Sequence, residues 1–453
     1  MFHVKIPTEY SLPINRSQTL LPSAQSFKDS GWMPQSKDVY DQFIRDLTDK
    51  ISSKLYDGPE GRLATPGGGY SLHPNRPPLL PRVQEFLDFI ENDPTVFAEF
   101  HRMFEHIREN EHPNNYLELV YMFNEIFRSA PDFGSLGPPL YMIMANIMNS
   151  QGGFSAFTKE NLNRHFKKMF ETWSDFLLSE DSRTVLNNEN KGWLCEAALL
   201  KMVKGFPDRT FAQVFICDPN DPHYGFRSFE DFFNRRLRDP AVDRPTGDIN
   251  DLRIISAACE STTYAYQENV LRQDPLFIKD QAYSLVHLLA DNYVDVFEGG
   301  TILQSFLSTT SYHRWHAPVK GTIKKIVDVP GTYFAQGPHT LGLPTNNDEL
   351  PPYLQSLRFF ANTAARQLIF IDAKNEKLGL MCFIAIGMTE ISSCEATVCE
   401  GQEVERGDQL GMFHFGGSSS ALVFRKDAGV QVDGEYRVPK AALKVNRAIA
   451  IVQ

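Results

Sequence analysis

The chain has 453 residues, of which 42% are hydrophobic and 22% are charged, and its formal net charge is −11. A chain of this length usually forms more than one core, and this balance is typical of neither a disordered protein nor a membrane bundle. The negative charge and the absence of a Lys/Arg block argue against nucleic acid as a partner.

The N-terminus has no apolar segment of signal-peptide length, and nowhere do about eighteen apolar residues follow one another. We therefore expect a cytoplasmic protein without a stable membrane anchor. The six cysteines show no zinc-ribbon spacing, so reduced and mostly buried thiols are expected.

The first two hundred residues show helical periodicity. Along residues 36–56, apolar side chains recur every fourth residue on one stripe, at Val39, Phe43, Leu47, Ile51 and Leu55. Ser36 is predicted as the N-cap of this helix, and Pro94 suits the first position of a later one. Further helices are predicted over 82–92, 94–107, 114–127 and 161–178.

From about residue 250 the pattern changes to short strand-like segments separated by Gly, Pro and Asn turns. Strands are predicted within 253–266, 321–329, 366–373, 379–388 and 420–426. The fold class is therefore α+β. We predict a helical N-terminal region over 1–205, with a Gly/Pro-rich loop at 57–81, and a β-rich domain over 206–453 that begins with a last helix at 229–239.

Three segments of the β-rich half carry candidate chemistry: SAACES (256–261), SYHRWHAP (311–318) and GGSSS (416–420). They supply a carboxylate, two imidazoles and a hydroxyl that follows glycine: Glu260, His313, His316 and Ser418. This is the inventory of a base-activated nucleophile. Each residue also has an ordinary structural explanation, as a solvated carboxylate, core histidines or a hairpin turn.

Two alternatives fit these segments less well. A serine hydrolase needs Gly-x-Ser-x-Gly around its nucleophile, but Ser420 stands where the second glycine would be. A zinc site at His313 and His316 is disfavoured, because residues three apart in a strand point to opposite faces and no third ligand is near.

Self-cleavage at the Gly417–Ser418 bond fits better. Glycine permits the strained backbone in which the Ser418 hydroxyl attacks the preceding carbonyl. In this hypothesis His316 takes the hydroxyl proton and Glu260 orients the imidazolium. The amide becomes an ester, elimination leaves dehydroalanine, and hydrolysis leaves a ketone at the new N-terminus. That ketone is a pyruvoyl group.

Ordered motifs between about residues 205 and 424 resemble the phosphatidylserine decarboxylase family, among them SYHRWHAPVKGTI, IGMTEISSCEATV and GDQLGMFHFGGSSSALVF. The resemblance implies a family-like catalytic domain, a pyruvoyl cofactor made from Ser418 and no pyridoxal phosphate. It implies His316 as the base for self-cleavage, Glu260 as its orienting acid and His313 as the histidine that assists decarboxylation. The family usually has Asp-Gly where this chain has Glu260–Ser261, and a bulky residue where it has Gly416.

Within the family, these departures and the long helical region resemble a fungal subgroup that decarboxylates free aromatic L-amino acids. The resemblance implies L-tryptophan as the substrate, tryptamine and CO₂ as products, and a cleaved chain 418–453 that stays bound. Two alternatives remain open. The chain could decarboxylate phosphatidylserine to phosphatidylethanolamine, or it could be a non-catalytic relative in which GGSSS is only a turn.

Overall fold

The structure is a computed structural model that describes residues 23–55, 76–105, 107, 113–134, 137–273, 283–343, 351–390, 393–415 and 418–453. Helices dominate the part before residue 244, and antiparallel strands dominate the part after residue 253. The predicted α+β class is confirmed. Most of the predicted loop at 57–81 lies outside the described residues, and so does Gly417.

The helix predicted over 94–107 ends early, at Arg102, whereas those predicted over 36–56, 82–92, 114–127 and 161–178 lie within about two residues of the expected bounds. In chain order, the helices of the described N-terminal region are α1 (Ala24–Asp29), α2 (Lys37–Leu55), α3 (Pro81–Asn92), α4 (Pro94–Arg102), α5 (Tyr116–Ile126), α6 (Pro139–Met148), α7 (Gln151–Phe157), α8 (Glu160–Leu178), α9 (Glu196–Met202), α10 (Phe211–Val214), α11 (Phe229–Phe233) and α12 (Pro240–Asp243). Short helices α13 (Leu285–Leu288), α14 (Val294–Phe297), α15 (Pro352–Gln355) and α16 (Leu357–Thr363) lie between strands.

Local chemistry explains where these helices begin. The hydroxyl of Ser36 accepts a hydrogen bond from the Val39 amide at the start of α2, as expected for an N-cap. Pro94 occupies the first turn of α4. The predicted helix at 229–239 is shorter than expected, because α11 ends at Phe233.

The strands form three antiparallel sheets. Their bounds are β1 (Ile254–Ser256), β2 (Ser261–Gln267), β3 (Thr301–Phe306), β4 (Arg314–His316), β5 (Gly321–Val329), β6 (Arg366–Ala373), β7 (Leu380–Gly387), β8 (Cys394–Ala396), β9 (Glu403–Val404), β10 (Gln409–Phe413), β11 (Ser418–Phe424), β12 (Val430–Val432), β13 (Ala442–Leu443) and β14 (Ala448–Val452). The large sheet has the order β13-β2-β3-β11-β7-β6-β5-β9, and the small sheets are β1-β14-β12 and β4-β10-β8.

Strand β11 lies inside the large sheet and is buried along its whole length. It pairs with β3 on one side and with β7 on the other, and Ser418 is opposite Gly387 of β7. The sequence of a strand that is buried on both faces is usually a continuous run of apolar residues, which explains ALVF after the three serines. The candidate nucleophile therefore opens a central strand.

The boundary predicted near residue 205 remains a prediction. One cluster of buried apolar side chains crosses it, running from Phe27 in α1 to Val445 near the C-terminus. The six cysteines are free thiols, and three of them are fully buried. No helix in the described part of the chain is long and apolar enough to cross a lipid bilayer.

Candidate active site

Ser418 has a buried hydroxyl that differs in its hydrogen bonding from the hydroxyls of Ser419 and Ser420. Its Oγ has no hydrogen-bond partner among the described residues, although the residue is only 1% exposed. Its carbonyl oxygen accepts a hydrogen bond of 2.9 Å from the Leu307 amide. The backbone is thus held on both sides while the side chain is left without a partner. Buried hydroxyls are normally bonded, so an orphaned one points to a functional role.

The neighbouring serines are both committed to structure. Ser419 Oγ donates to the Ser305 carbonyl at 2.8 Å and accepts from Gln304 Nε2 at 3.0 Å. Ser420 Oγ lies 3.0 Å from Ser305 Oγ. Of the three consecutive serines, only Ser418 therefore has a hydroxyl available for chemistry.

His316 ends β4 and is buried, and both of its ring nitrogens are engaged. Nδ1 donates to the Gly407 carbonyl at 2.6 Å, and Nε2 accepts from the Tyr312 hydroxyl at 2.9 Å. A carbonyl can only accept, so the proton lies on Nδ1 and Nε2 is the basic nitrogen. Burial lowers the pKa of His316, while the bond to Gly407 acts in the opposite direction. His316 is therefore a neutral base.

Gly407 can serve this role because it adopts a φ of +98°. A Cβ at this position would lie 2.3 Å from Cγ2 of Thr246, so a larger residue is excluded as well as strained. The tight turn before β10 presents the carbonyl that fixes the tautomer of His316.

Glu260 makes no hydrogen bond to His316 in the described part of the chain, and its role as the residue that orients this imidazole stays a prediction. Arg244 binds the Glu260 carboxylate instead, from Nε at 2.8 Å and Nη2 at 2.5 Å, and the Val445 amide donates to it at 3.1 Å. With its oxygens bound in this way, and with both nitrogens of His316 engaged elsewhere, Glu260 makes no hydrogen bond to that imidazole within the described chain. The carboxylate is held in a buried ion pair, which is costly to break.

His313 precedes β4 and stacks on Phe233 of α11, with ring centroids 3.9 Å apart. It is almost fully buried, and its Nδ1 has no hydrogen-bond partner among the described residues. Burial lowers the pKa of His313 well below its usual value, and the nearby charge of Arg235 acts in the same direction. His313 is therefore neutral at physiological pH.

Arg235 is a functional candidate that sequence reasoning missed. Its buried guanidinium donates to the carbonyls of Thr310 (2.6 Å) and Ser311 (3.0 Å), and it lies over the Phe215 ring. These bonds hold the loop that leads from β3 to His313. The NRR sequence in which Arg235 lies resembles an ordinary charged helix end, so the sequence alone does not indicate its burial.

His414 fixes the chain just before the predicted cleavage bond. Its Nδ1 donates to Glu230 of α11 and its Nε2 donates to Glu395 of β8, both at 2.9 Å. Burial acts to lower the pKa of His414, but the bonds to the two carboxylates outweigh it and raise the pKa. Two donated bonds require both ring nitrogens to be protonated, so His414 is held as an imidazolium three residues before Gly417.

Glu390 is a second residue that the sequence analysis did not single out. It lies three residues after Gly387, and its side chain is completely buried. One carboxylate oxygen accepts hydrogen bonds from the amides of Leu140 and Tyr141 at the start of α6. The other oxygen, Oε2, has no partner in the described part of the chain.

The predicted residues are brought to one region but not into one hydrogen-bonded chain. The Leu307 amide bonds to Ser418, the Phe413 amide bonds to the His313 carbonyl at 3.0 Å, and β4 carries His316 beside β10. Within the described ranges, no group of three or more His, Cys, Asp or Glu side chains could hold a metal ion.

Two family models match this chain, and both are described as phosphatidylserine decarboxylase. One covers residues 229–444 and the other covers residues 80–202. The first contains all of the candidate catalytic residues, and the second contains α3 to α9 of the helical region.

The chain is also similar to individual decarboxylases along most of its length. It is 50% identical over 96% of its length to the L-tryptophan decarboxylase of Psilocybe cubensis, and it covers 97% of that protein. It is 37% identical over 70% of its length to the decarboxylase iboD of Amanita muscaria, and it covers 91% of that protein. The phosphatidylserine decarboxylase proenzyme of Fusobacterium nucleatum is 31% identical over only 46% of this chain, which covers 62% of that protein.

The ion pairs of His414 predict a pH-dependent stability. Because the folded pKa is raised, protonated His414 stabilises the folded state fully below its unfolded pKa of 6.5, and this contribution is lost as the pH rises through the folded pKa. In an uncleaved Ser418→Ala background, His414→Gln should lower the free energy of unfolding by about 2 kcal/mol at about pH 6 and by clearly less at about pH 9. Urea unfolding at the two pH values measures this difference.

The exposed His101 provides a matched control. His101→Gln in the same background should change the free energy of unfolding little at either pH. An effect of His414→Gln that is equal at both pH values would contradict the charged state assigned to His414.

Proposed function

The chain belongs to the phosphatidylserine decarboxylase family, and from this membership we propose that it is a pyruvoyl-dependent decarboxylase of free L-tryptophan. The assignment of the substrate rests on the extent of the sequence similarity. Identity of 50% to an L-tryptophan decarboxylase extends over 96% of the chain, whereas the similarity to the Fusobacterium phosphatidylserine decarboxylase proenzyme covers less than half of it.

The residues around Ser418 are suited to forming a pyruvoyl group. The Oγ is buried and without a described partner, the residue before it is glycine, and the backbone after it is fixed between β3 and β7. Attack by Oγ on the Gly417 carbonyl forms a C–O bond and breaks the peptide C–N bond, and the released amine takes up a proton. Elimination then removes the Cα proton of residue 418 and breaks its Cβ–O bond, which leaves a carboxylate on Gly417 and dehydroalanine at 418. The dehydroalanine tautomerises to an imine, and water replaces its nitrogen as ammonia leaves.

When the Ser418 hydroxyl attacks the Gly417 carbonyl, His316 accepts the hydroxyl proton at Nε2, because Nδ1 is already protonated and bonded to the Gly407 carbonyl. The Tyr312 hydroxyl occupies Nε2 in the structure, so it must move aside or pass the proton on. Glu260 acts at a distance in this proposal. Its ion pair with Arg244 keeps a carboxylate near the Tyr312 hydroxyl, whose pKa is raised mainly by burial and in part by Glu260.

The cleaved C-terminal chain remains part of the fold in this proposal. Residues 418–453 contain β11, which pairs with two strands of the long chain, and β14, which pairs with β1. Breaking one peptide bond removes none of these ladders. The two chains are therefore expected to stay together without a covalent link.

When present, the pyruvoyl group supplies an electron sink for the electron pair that departing CO₂ leaves behind. His313 is neutral and buried beside Phe233, so its ring N–H can bind the substrate carboxylate. A bound carboxylate would raise the pKa of His313 and allow it to return a proton to Cα after CO₂ leaves. No pyridoxal phosphate is needed for this chemistry.

Self-cleavage is tested by the intact mass of the purified protein. We expect two chains, residues 1–417 and 418–453, with the shorter one lacking a free N-terminal amine. Ser418→Ala should give one uncleaved polypeptide without decarboxylase activity, whereas Ser419→Ala, which removes only a structural hydroxyl, should still be cleaved. An active wild-type enzyme that consists of one unbroken chain would refute the proposal.

The two histidines should separate in their effects. His316→Ala is expected to slow self-cleavage by about 10²- to 10⁴-fold, the usual contribution of a general base. His313→Ala should be cleaved yet decarboxylate about 10²- to 10⁴-fold more slowly. Gel analysis of cleavage over time and an amine assay on the cleaved fraction measure the two effects separately. If both variants are processed and active at wild-type rates, the assigned roles are wrong.

The substrate is tested by parallel incubation with L-tryptophan and with phosphatidylserine in phosphatidylcholine vesicles. We expect tryptamine and CO₂ in equal amounts from the first and no phosphatidylethanolamine from the second. Turnover of the vesicles without tryptamine formation would assign the protein to lipid decarboxylation instead. No turnover of either substrate by cleaved protein would favour a non-catalytic relative.

A further inference from the structure

Glu390 follows shortly after Gly387, the residue of β7 that lies opposite Ser418. Gly387 pairs with Ser418 across β7 and β11, and Glu390 follows three residues later. Three residues span at most about 10 Å, so the side chain starts within reach of a substrate held at Ser418. Thr389, with a φ of +49°, turns the chain between these two points.

The hydrogen bonding of Glu390 is asymmetric. One oxygen caps the first turn of α6 through the Leu140 and Tyr141 amides, which fixes the position of the carboxylate. Oε2 is buried and accepts nothing from the described residues. No cation is bonded to the carboxylate in that part of the chain. An unsatisfied buried acceptor is unfavourable, and a donor supplied by a ligand would remove the penalty.

Aromatic side chains lie near this acceptor. The ring of Tyr141, whose amide binds the other carboxylate oxygen, packs at a tilt on Tyr353 with ring centroids 5.0 Å apart, and Tyr353 packs on Phe360 at 4.3 Å. Pro139, next to Leu140, and Trp173 line a cavity of about 370 Å³ that Glu390 does not itself line. Trp173 also contacts Phe415, which lies directly before the two glycines of the predicted cleavage site. Tyr141 and Tyr353 therefore give aromatic surface near one isolated acceptor.

Free L-tryptophan has two kinds of N–H donor, the α-amine and the indole ring nitrogen. Its α-amine has to reach the keto carbon at residue 418, so the other donor must be on the ring. The Glu390 carboxylate is fixed at α6, three residues after Gly387, the strand partner of Ser418. In this position it can bind the ring end of a substrate whose amine is held at residue 418. Burial raises the pKa of Glu390, and a third N–H donor beside the two backbone amides would favour its charged form.

We propose that Glu390 Oε2 accepts a hydrogen bond from the ring N–H of the aromatic substrate and so selects an indole over a ring without a donor. The inference rests on the proposed function and adds the residue that sets side-chain preference. It assigns Glu390 no part in self-cleavage. Glu390 is a specificity-determining residue rather than an acid or base.

The sharpest test leaves the enzyme unchanged and alters one atom of the substrate. In L-3-(3-benzothienyl)alanine, sulfur replaces the ring N–H with almost no change in shape. We expect kcat/KM for this analogue to be about 10- to 100-fold lower than for L-tryptophan, because Oε2 is then left buried and unsatisfied. Tryptamine should bind the cleaved enzyme more tightly than its benzothienyl analogue by the same factor, as measured by calorimetry.

A variant tests whether Glu390 causes the discrimination. Glu390→Leu should bring the ratio of kcat/KM for the two substrates close to one, while the exposed Glu376→Gln should leave the ratio at its wild-type value. Intact mass shows whether each variant has matured. If Glu390→Leu does not mature, the affinities of wild-type enzyme for tryptamine and its benzothienyl analogue still test whether the ring N–H is recognised.

Equal affinity of wild-type enzyme for both amines, or equal turnover of both amino acids, would overturn the role of Glu390 while leaving tryptophan decarboxylation intact. Discrimination that persists in matured Glu390→Leu would assign it to another residue. Failure of the proposed function appears differently, as turnover of phosphatidylserine with no tryptamine formed.

Discussion

The chemistry depends on one constraint, which is that Ser418 opens a strand already satisfied on both sides. β11 is bonded to β3 and β7, and the two serines that follow give their hydroxyls to structural partners. The Ser418 backbone therefore cannot move to find a partner for its own Oγ. A hydroxyl without a partner is preserved because the backbone of β11 and the hydroxyls of Ser419 and Ser420 are already bonded within the sheet. In the proposed self-cleavage, the same ladders keep residues 418–453 in the fold.

Burial sets the charge states around this centre. It lowers the pKa of His313 and His316, and it raises that of Glu390. Neutral imidazoles suit a site that must first remove a proton from a hydroxyl and later handle a carboxylate. His414 is the exception, because two carboxylates outweigh its burial. The charged imidazolium of His414 thus anchors the chain, while His313 and His316, the proposed proton-transfer residues, are neutral.

The sequence predicts the elements better than their contacts. β5 and β6 begin and end at the residues predicted for their strand-like segments. The sequence did not indicate that the Glu260 carboxylate is bound by Arg244, sixteen residues upstream, and not by His316. Glu390 gave no signal, because a glutamate just after a strand is usually solvated. Its burial depends on α6, about 250 residues earlier in the chain.

The helical region helps to build the site and is more than an appendage to it. α6 binds Glu390, Trp173 of α8 packs on Phe415, and a helix further along, α11, supplies both Glu230 for His414 and Phe233 for His313. Phe415 and His414 lie immediately before the two glycines, so helices hold the upstream side of the proposed cleavage bond while the sheet holds the downstream side. A bond that must strain in order to break needs both ends fixed. This requirement gives a physical reason for the two family models to lie on one chain, and for the buried core to run through both regions without interruption.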